Sequence, residues 1–299
     1  MKKTNKGLFS AKVRSNIKPG YCFYKIELEF EGAAAEIYAK TEPGQFAQID
    51  LSRTALPPED TIAEDIKDSS RRDIILRRPF SFSNVRSRGN KTMVQILYCV
   101  VGPASLRMTM LKAGDTVSII GPLGKGFWMP QGKKIVLLAA GGMGSPPVQY
   151  LANVLVKNNP EIKVVAFVGA KAKKEFPFDP QKFTSRKIET IVTTDDGSCG
   201  LKGLVTEQLE KRIESNEQKE EEMIIYACGP KAMLARVAEI ANSEKIDCQI
   251  SMERRMACGI GICQGCAVEC KMSGSDETIY KMCCTDGPVF DSKELVFSS

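Results

Sequence analysis

The segment from Glu253 to Cys270, ERRMACGIGICQGCAVEC, carries four of the chain's eleven cysteines. Cys258, Cys263 and Cys266 are spaced C-x4-C-x2-C, with Gly259, Gly261 and Gly265 between them. A later residue, Cys283 or Cys284, can supply a fourth thiolate. This is the spacing of plant-type 2Fe–2S sites, in which a tight loop wraps the cluster and a distant cysteine closes it. Glycines suit such a loop, because backbone amides must turn inward toward sulfur without obstruction by a Cβ. Other thiol chemistries fit less well. Structural zinc sites pair two short cysteine knuckles, and the second is missing. A 4Fe–4S run is imitated by Cys263, Cys266 and Cys270, but Ile260 stands where its first cysteine belongs and Lys271 replaces its proline. The odd cysteine count and uneven distribution argue against a disulfide scaffold.

Two further segments suit phosphate-bearing ligands. In LLAAGGMGSPP a strand ends at Ala140, and Gly141, Gly142 and Gly144 open a turn into a helix starting near Pro146. Glycine allows close backbone approach, and the helix start offers free N–H groups to a phosphate. The order is not the G-x-G-x-x-G fingerprint, and a tight strand–helix connection would look the same. YACGP, with Cys228 and Gly229, ends a second strand in small residues, so the two strand ends make a floor for a flat ring. In RRPFSF, Arg78 offers a guanidinium fork to a pyrophosphate and Ser81 a hydroxyl to a ring nitrogen. VVGPAS and GPLGKGF are glycine turns that could lay N–H groups against a phosphate.

The 299-residue chain has no histidine, which excludes Ser–His–Asp, Cys–His and His-based zinc chemistry. Any acid–base step needs Cys, Lys, Tyr or a carboxylate. Net charge is +6, but the basic residues are scattered, which reads as a solvated surface rather than a nucleic-acid interface. The basic N-terminus has no apolar core behind it, and no apolar run approaches a membrane span. A cytoplasmic protein with reduced thiols is expected.

These residues need elements to position them. Residues 8–50 read as strands, with YCFYKIELEF alternating and PGQFAQIDL following a Pro-Gly turn. Residues 52–73 are polar and acidic, an exposed excursion with room for one short helix. IILRRPFSFSNV, TMVQILYCVVG and DTVSIIGPLG resume the strands, so residues 1–128 are expected to form an antiparallel β-barrel. From 129 to 250, buried strands (KKIVLLAAGGMG, KVVAFVGA, IETIVTTDD, EMIIYACGP) alternate with helical patterns. That alternation predicts a doubly wound parallel sheet. Residues 251–299 read as a small cysteine-rich module. The expected fold class is thus multidomain, β plus α/β.

With these blocks in this order, the chain resembles the ferredoxin–NADP reductase superfamily. More closely, it is similar to the family of electron-transfer subunits of NAD-dependent dihydroorotate dehydrogenases, over nearly its whole length. RRPFSF resembles the family's Arg-Pro-x-Ser flavin motif, which implies that Arg78, Pro79, Phe80 and Ser81 bind FAD, Arg78 near the pyrophosphate and Ser81 near flavin N5. LYCVVGPAS resembles a second flavin segment and implies that Leu97, Tyr98, Cys99, Ala104 and Ser105 line the FAD. GGMGSPP and CGP look like the nicotinamide turns, implying Gly141, Gly142, Gly144, Cys228 and Gly229. TTDDGSCGLKGLVT is also typical. MACGIGICQGC and CTDGPVF resemble the cluster loops, and the second selects Cys284 over Cys283. Cys258, Cys263, Cys266 and Cys284 are then the implied ligands and Cys270 a bystander. Cys99 stands where the family carries arginine, Ala104–Ser105 where it carries Gly-Thr, and Cys270, Cys283 and the long excursion are additional.

The resemblance implies an oxidoreductase subunit holding FAD and a 2Fe–2S cluster with NAD(H) as co-substrate. Its partner would be an FMN-containing catalytic subunit, two copies of each in a heterotetramer, passing electrons from dihydroorotate through FMN, cluster and FAD to NAD+. The alternatives are a small subunit of an NAD(P)H:ferredoxin oxidoreductase or sulfide dehydrogenase, and a redox sensor without turnover. The former often uses a non-cysteine cluster ligand. Lys171, Lys173 and Lys174 follow a nucleotide-domain strand and could meet the 2′-phosphate of NADP(H), or form a solvated basic loop.

Overall fold

The computed structural model describes residues 6–180, 183, 188–215, 222–272, 275 and 277–297. Its first sheet is built from β1 (Gly7–Gly20), β2 (Phe23–Glu31), β3 (Phe46–Ile49), β4 (Arg78–Ser81), β5 (Asn84–Arg88), β6 (Lys91–Cys99) and β7 (Thr116–Leu123). The order is β4-β3-β7-β1-β2-β6-β5, and every pairing is antiparallel. Alternation places Ala11, Val13, Ile26, Leu28, Ile96 and Val117 inside. The chain passing from β4 to β5 stitches the two edges together. Phe82 N–H donates to the Gln45 carbonyl (3.3 Å) and Ser83 N–H to that of Gln95 (2.8 Å). The expected antiparallel barrel is therefore present.

The expected strand run through residue 50 is interrupted by helix α1 (Gly32–Tyr38). Gly32 turns the chain at φ +58°, and GAAAEIY then has the alanine content of a helix. The 52–73 excursion contains α2 (Glu64–Ser70), which packs on α3 (Pro103–Met108). The buried Arg107 of α3 donates to the carbonyls of Ser70 (3.3 Å) and Arg72 (3.4 Å). One face of the excursion is thereby tied down.

The second sheet contains β8 (Ile135–Gly141), β9 (Lys163–Ala170), β10 (Glu189–Thr194), β11 (Leu201–Lys202), β12 (Met223–Cys228) and β13 (Asp247–Ser251). Helices α4 (Ser145–Asn158), α5 (Val205–Glu214) and α6 (Lys231–Ser243) cover it. β8 is buried along its whole length, as a central parallel strand requires. The order β11-β10-β9-β8-β12-β13 reverses direction between β8 and β12, a crevice where such sheets bind ligands.

The C-terminal segment is less separate than its composition implies. β14 (Ala267–Lys271) and β15 (Thr278–Met282) form a hairpin, but β16 (Val289–Asp291) pairs antiparallel with β13 and extends the second sheet. Lys125 N–H donates to the Gly287 carbonyl (2.6 Å) and Met252 N–H to that of Pro288 (2.8 Å). The GPLGKGF turn therefore docks this module: a Cβ on Gly124 would meet Pro288 Cδ at 2.6 Å. It does not line the cleft described below. At the linker, the Gln249 amide clasps both backbone groups of Trp128, at 3.0 and 2.9 Å. Tyr150 of α4 donates to the Thr41 carbonyl (2.8 Å), so the domains are joined by polar contacts on both sides.

Candidate flavin, nicotinamide and cluster site

A cleft of about 430 Å³ lies where the three parts meet. Its barrel wall is Arg78–Ser81 of β4 together with Leu97, Cys99 and the loop into α3. Leu97 and Cys99 share one face of β6. Tyr98, which also borders the cleft, packs its ring in the barrel core and donates its hydroxyl to Asn16 Oδ1 (3.1 Å). The opposite wall is Gly144, Cys228 and Gly229 at the switch point. Twelve of the fourteen residues anticipated as cofactor-binding border this one cleft; Gly141 and Gly142 do not. Gly141 instead permits packing, since a Cβ there would meet Met233 Sδ at 2.8 Å and Pro230 Cδ at 2.9 Å.

Arg78 is held by its own strand. Its Nη1 donates to the carbonyls of Leu76 (2.7 Å) and Arg77 (3.3 Å), and among the described residues it has no carboxylate partner. The cation beside the cleft is thus available to an anion, and charge-assisted hydrogen bonds contribute about 1.5–3 kcal/mol each. Arg78→Ala is expected to weaken FAD retention tenfold or more, read as flavin lost on dialysis, with the iron content unchanged.

Two departures from the family pattern acquire physical roles. Cys99 at the end of β6 and Cys22 in the turn before β2 form a sulfur–sulfur contact of 2.7 Å, and burial pushes the Cys99 thiol up to about 12. Cys99 is accordingly a neutral wall residue. The Ser105 hydroxyl accepts from the N–H groups of Val101 (3.0 Å) and Gly102 (3.2 Å) and donates to the Gly102 carbonyl (3.1 Å). It therefore shapes the loop that borders the cleft.

On the wall formed by the second sheet, burial pushes the Cys228 thiol up to about 12, so it is a neutral donor at neutral pH. Of the basic loop, Lys174 Nζ lies 5.5 Å above the Tyr21 ring, and Lys173 N–H donates to the Ser198 hydroxyl (2.8 Å). Part of that loop is therefore occupied in joining the barrel and ordering its own turn.

The sequence reading missed a third wall, Ser251–Arg254 with Met256, and also Phe46 and Met143. The signal available was that Ser251 ends a strand beside the switch point. Two residues beyond Met256, the same segment becomes the cysteine loop.

Among the described residues no three Cys, Asp or Glu side chains gather as around a single ion. The cysteines stand instead as two pairs. Cys263 N–H and side chain both point to Cys258 Sγ, the former at 3.4 Å, and Cys266 pairs with Cys284. A two-iron rhomb has two terminal positions per iron, so two thiolate pairs suit it. Burial opposes ionisation of Cys258, but the N–H groups of Cys263, Ile260 and Ile262 outweigh it and hold the thiol at about 6. Those amides turn inward because Gly259 and Gly261 adopt φ +68° and +89°. The donor set thus fits a 2Fe–2S cluster, with Cys266 and Cys284 buried and Cys263 exposed.

The extra cysteines sit elsewhere. Cys283 is buried and donates to the Met252 carbonyl (3.4 Å). Cys270 is fully buried on β14 opposite Ile279, and burial raises its thiol above the usual range. Cys270→Ser is expected to leave the visible absorption of the cluster intact; bleaching would mean that Cys270 is a ligand.

A flavin cradle on a barrel, a nucleotide crevice on a parallel sheet and a thiolate loop between them define a ferredoxin reductase-like oxidoreductase. Residues 138–239 match the oxidoreductase NAD-binding domain and residues 253–296 the iron-sulfur cluster binding domain of dihydroorotate dehydrogenase B. The chain is 36% identical to the dihydroorotate dehydrogenase B (NAD+) electron transfer subunit of Caldanaerobacter subterraneus subsp. tengcongensis, over 96% of this chain and 98% of that one. It is also 36% identical to the Bacillus caldolyticus subunit of the same name, over 85% and 87%. The chain belongs to this family of electron transfer subunits. Its fold is similar to that of an NADH-dependent reduced ferredoxin–NADP oxidoreductase, with a TM-score of 0.74 at 22% identity, over 96% of this chain and 90% of that one.

Proposed function

We propose that this chain is the electron-transfer subunit of a dihydroorotate dehydrogenase B and delivers to NAD+ the electrons that a catalytic partner takes from dihydroorotate, in pyrimidine biosynthesis. One observation carries the reading: Ser251–Arg254 and Met256 line the cleft proposed for the flavin, and the segment runs on into Cys258, so flavin and cluster sites adjoin. FAD, when bound, exchanges a hydride with a nicotinamide and single electrons with an iron–sulfur cluster. Arg78 anchors the anionic part of the flavin, and Ser81 offers its hydroxyl to flavin N5. Gly144, Cys228 and Gly229 form the floor on which the nicotinamide lies, and Cys258, Cys263, Cys266 and Cys284 hold the cluster. The exposed Cys263 and Ile262 mark the cluster edge that faces the partner. That partner carries FMN, and two copies of each subunit assemble in the cytoplasm. Among the described residues no helix is long and apolar enough to cross a membrane.

The chain contains no histidine, and its cleft is assigned to flavin and nicotinamide, so oxidation of the carbon substrate is placed in the partner. The purified chain is expected to sustain NADH-dependent reduction of ferricyanide and to leave dihydroorotate untouched. Stoichiometric bleaching without turnover would support the sensor reading instead, and dihydroorotate oxidation by the chain alone would overturn the assignment of roles.

A further inference from the structure

β3 carries a polar side chain where an apolar one is expected. Phe46 and Gln48 are two residues apart and share the strand face turned away from the barrel interior, whereas Ala47 and Ile49 pack inside it. That outward face is covered by the cluster module: Phe46 belongs to the same apolar core as Met252, Cys266, Cys283 and Cys284. Gln48 is completely buried, yet among the described residues neither its Nε2 nor its Oε1 has a hydrogen-bond partner. Leaving such a group unsatisfied costs about 1–3 kcal/mol, and exceptions of this kind call for a ligand or a functional reason.

The position of the amide supplies one. A Cβ on Gly259 would meet Gln48 Cγ at 2.7 Å and Cδ at 2.9 Å, and would overlap Nε2. The amide therefore lies directly on the backbone of the residue that follows Cys258. On its flanks Gln48 pairs with Pro79 of the flavin-binding strand and with Ile120 of β7. Phe46, on the same face, lines the flavin cleft. The Gln48 side chain thus stands between the flavin strand and the cysteine loop. Thiolates and sulfides there are acceptors, and an amide N–H is a donor.

We propose that Gln48 donates a hydrogen bond from Nε2 to the sulfur edge of the cluster held by Cys258, and so raises the reduction potential of that cluster. Hydrogen bonds to cluster sulfurs are one of the levers that set such potentials, because they stabilise the added negative charge of the reduced form. The inference rests on the cluster assignment above and adds a residue remote in sequence from the cysteine motif. It also gives Gly259 a second reason to be glycine: any side chain there would displace the donor.

The test is an anaerobic redox titration of the full chain and of Gln48→Met, following the electron paramagnetic resonance signal of the reduced cluster and the flavin absorption separately. Methionine keeps the length and removes the donor. The expected result is a cluster potential shifted negative by about tenfold in the reduction equilibrium, ~59 mV for a one-electron couple. Iron, sulfide and FAD contents should match wild type. An unchanged cluster potential in a fully loaded variant overturns the proposal. Should Gln48→Met fail to retain its cluster, pulsed resonance on wild type labelled with ¹⁵N at glutamine side chains decides. Coupling of the amide nitrogen to the reduced cluster, retained when the glutamine of the cysteine loop is removed as Gln264→Ala, supports the hydrogen bond. Its absence overturns it. A wild-type chain without iron, sulfide or the cluster signal would instead defeat the underlying cluster reading.

Discussion

Cys284→Ala is expected to abolish the visible absorption and the reduced-state resonance signal of the cluster, whereas Cys283→Ala is expected to keep both. The two thiols are adjacent in sequence and both buried, yet they face different partners. Cys284 pairs with Cys266, and burial pushes its thiol up to about 12, with the Gly261 N–H working against that rise. Cys283 donates to the Met252 carbonyl on the other side of the chain. Removing Cys284 leaves one iron with a single thiolate. Because ligand binding free energy in such modules is also folding free energy, the segment around the cluster should become protease-sensitive as well. Removing Cys283 forfeits one buried hydrogen bond and leaves a small cavity, a loss of about 1 kcal/mol. Iron and sulfide analysis of both variants checks this. Retention of a full cluster in Cys284→Ala would reassign the fourth ligand.

Gly144→Ala is expected to have the second large effect, on the side of the cleft proposed to hold the nicotinamide. Gly144 has φ −74° and ψ −14°, a conformation alanine adopts freely, so no backbone strain is involved. The obstacle is contact. A Cβ there would overlap the carbonyl group of Cys228 and lie 2.5 Å from Gly229 N. All of these are backbone atoms of the neighbouring strand end, so no side-chain rotation relieves the clash and the two turns must separate. Overpacking of this kind costs about 1–3 kcal/mol, which lowers Tm by several degrees in a chain of this size. Opening the floor should reduce NADH:ferricyanide turnover at least tenfold, with FAD and iron contents unchanged. Gly142→Ala provides the contrast. Gly142 sits at φ +50° with nothing within 4 Å of a Cβ, so that variant incurs only the left-handed backbone penalty and loses less turnover. Equal losses in the two variants would refute the close-contact explanation.

The sites were legible in sequence to the extent that their chemistry is local. The cysteine loop was readable because ligand spacing and glycine placement lie within one short segment. β8 and β12 were readable because central parallel strands are apolar throughout, and their glycine and Cys-Gly-Pro ends mark the switch point. What escaped depends on contacts between distant segments. α1 was hidden because GAAAEIY continues an apolar stretch, and only Gly32 marks the break. β16 is three residues long, and its place beside β13 follows from docking rather than from any pattern of its own. The GPLGKGF turn has the glycines of a phosphate loop, yet it faces Pro288. Gln48 looks like a polar position on an exposed strand face, and only the arrival of the cysteine module buries it.

In its proposed role, this chain conducts electrons from a partner's oxidation of dihydroorotate to NAD+ through the flavin and the four-cysteine cluster. Dihydroorotate-dependent formation of NADH, measured with the chain reconstituted on its catalytic partner, tests it most directly when wild type is compared with Cys284→Ala. The prediction is NADH formation that requires both subunits and is lost in Cys284→Ala, while that variant still reduces ferricyanide with NADH. Undiminished dihydroorotate-dependent NADH formation by a Cys284→Ala complex lacking iron would contradict it.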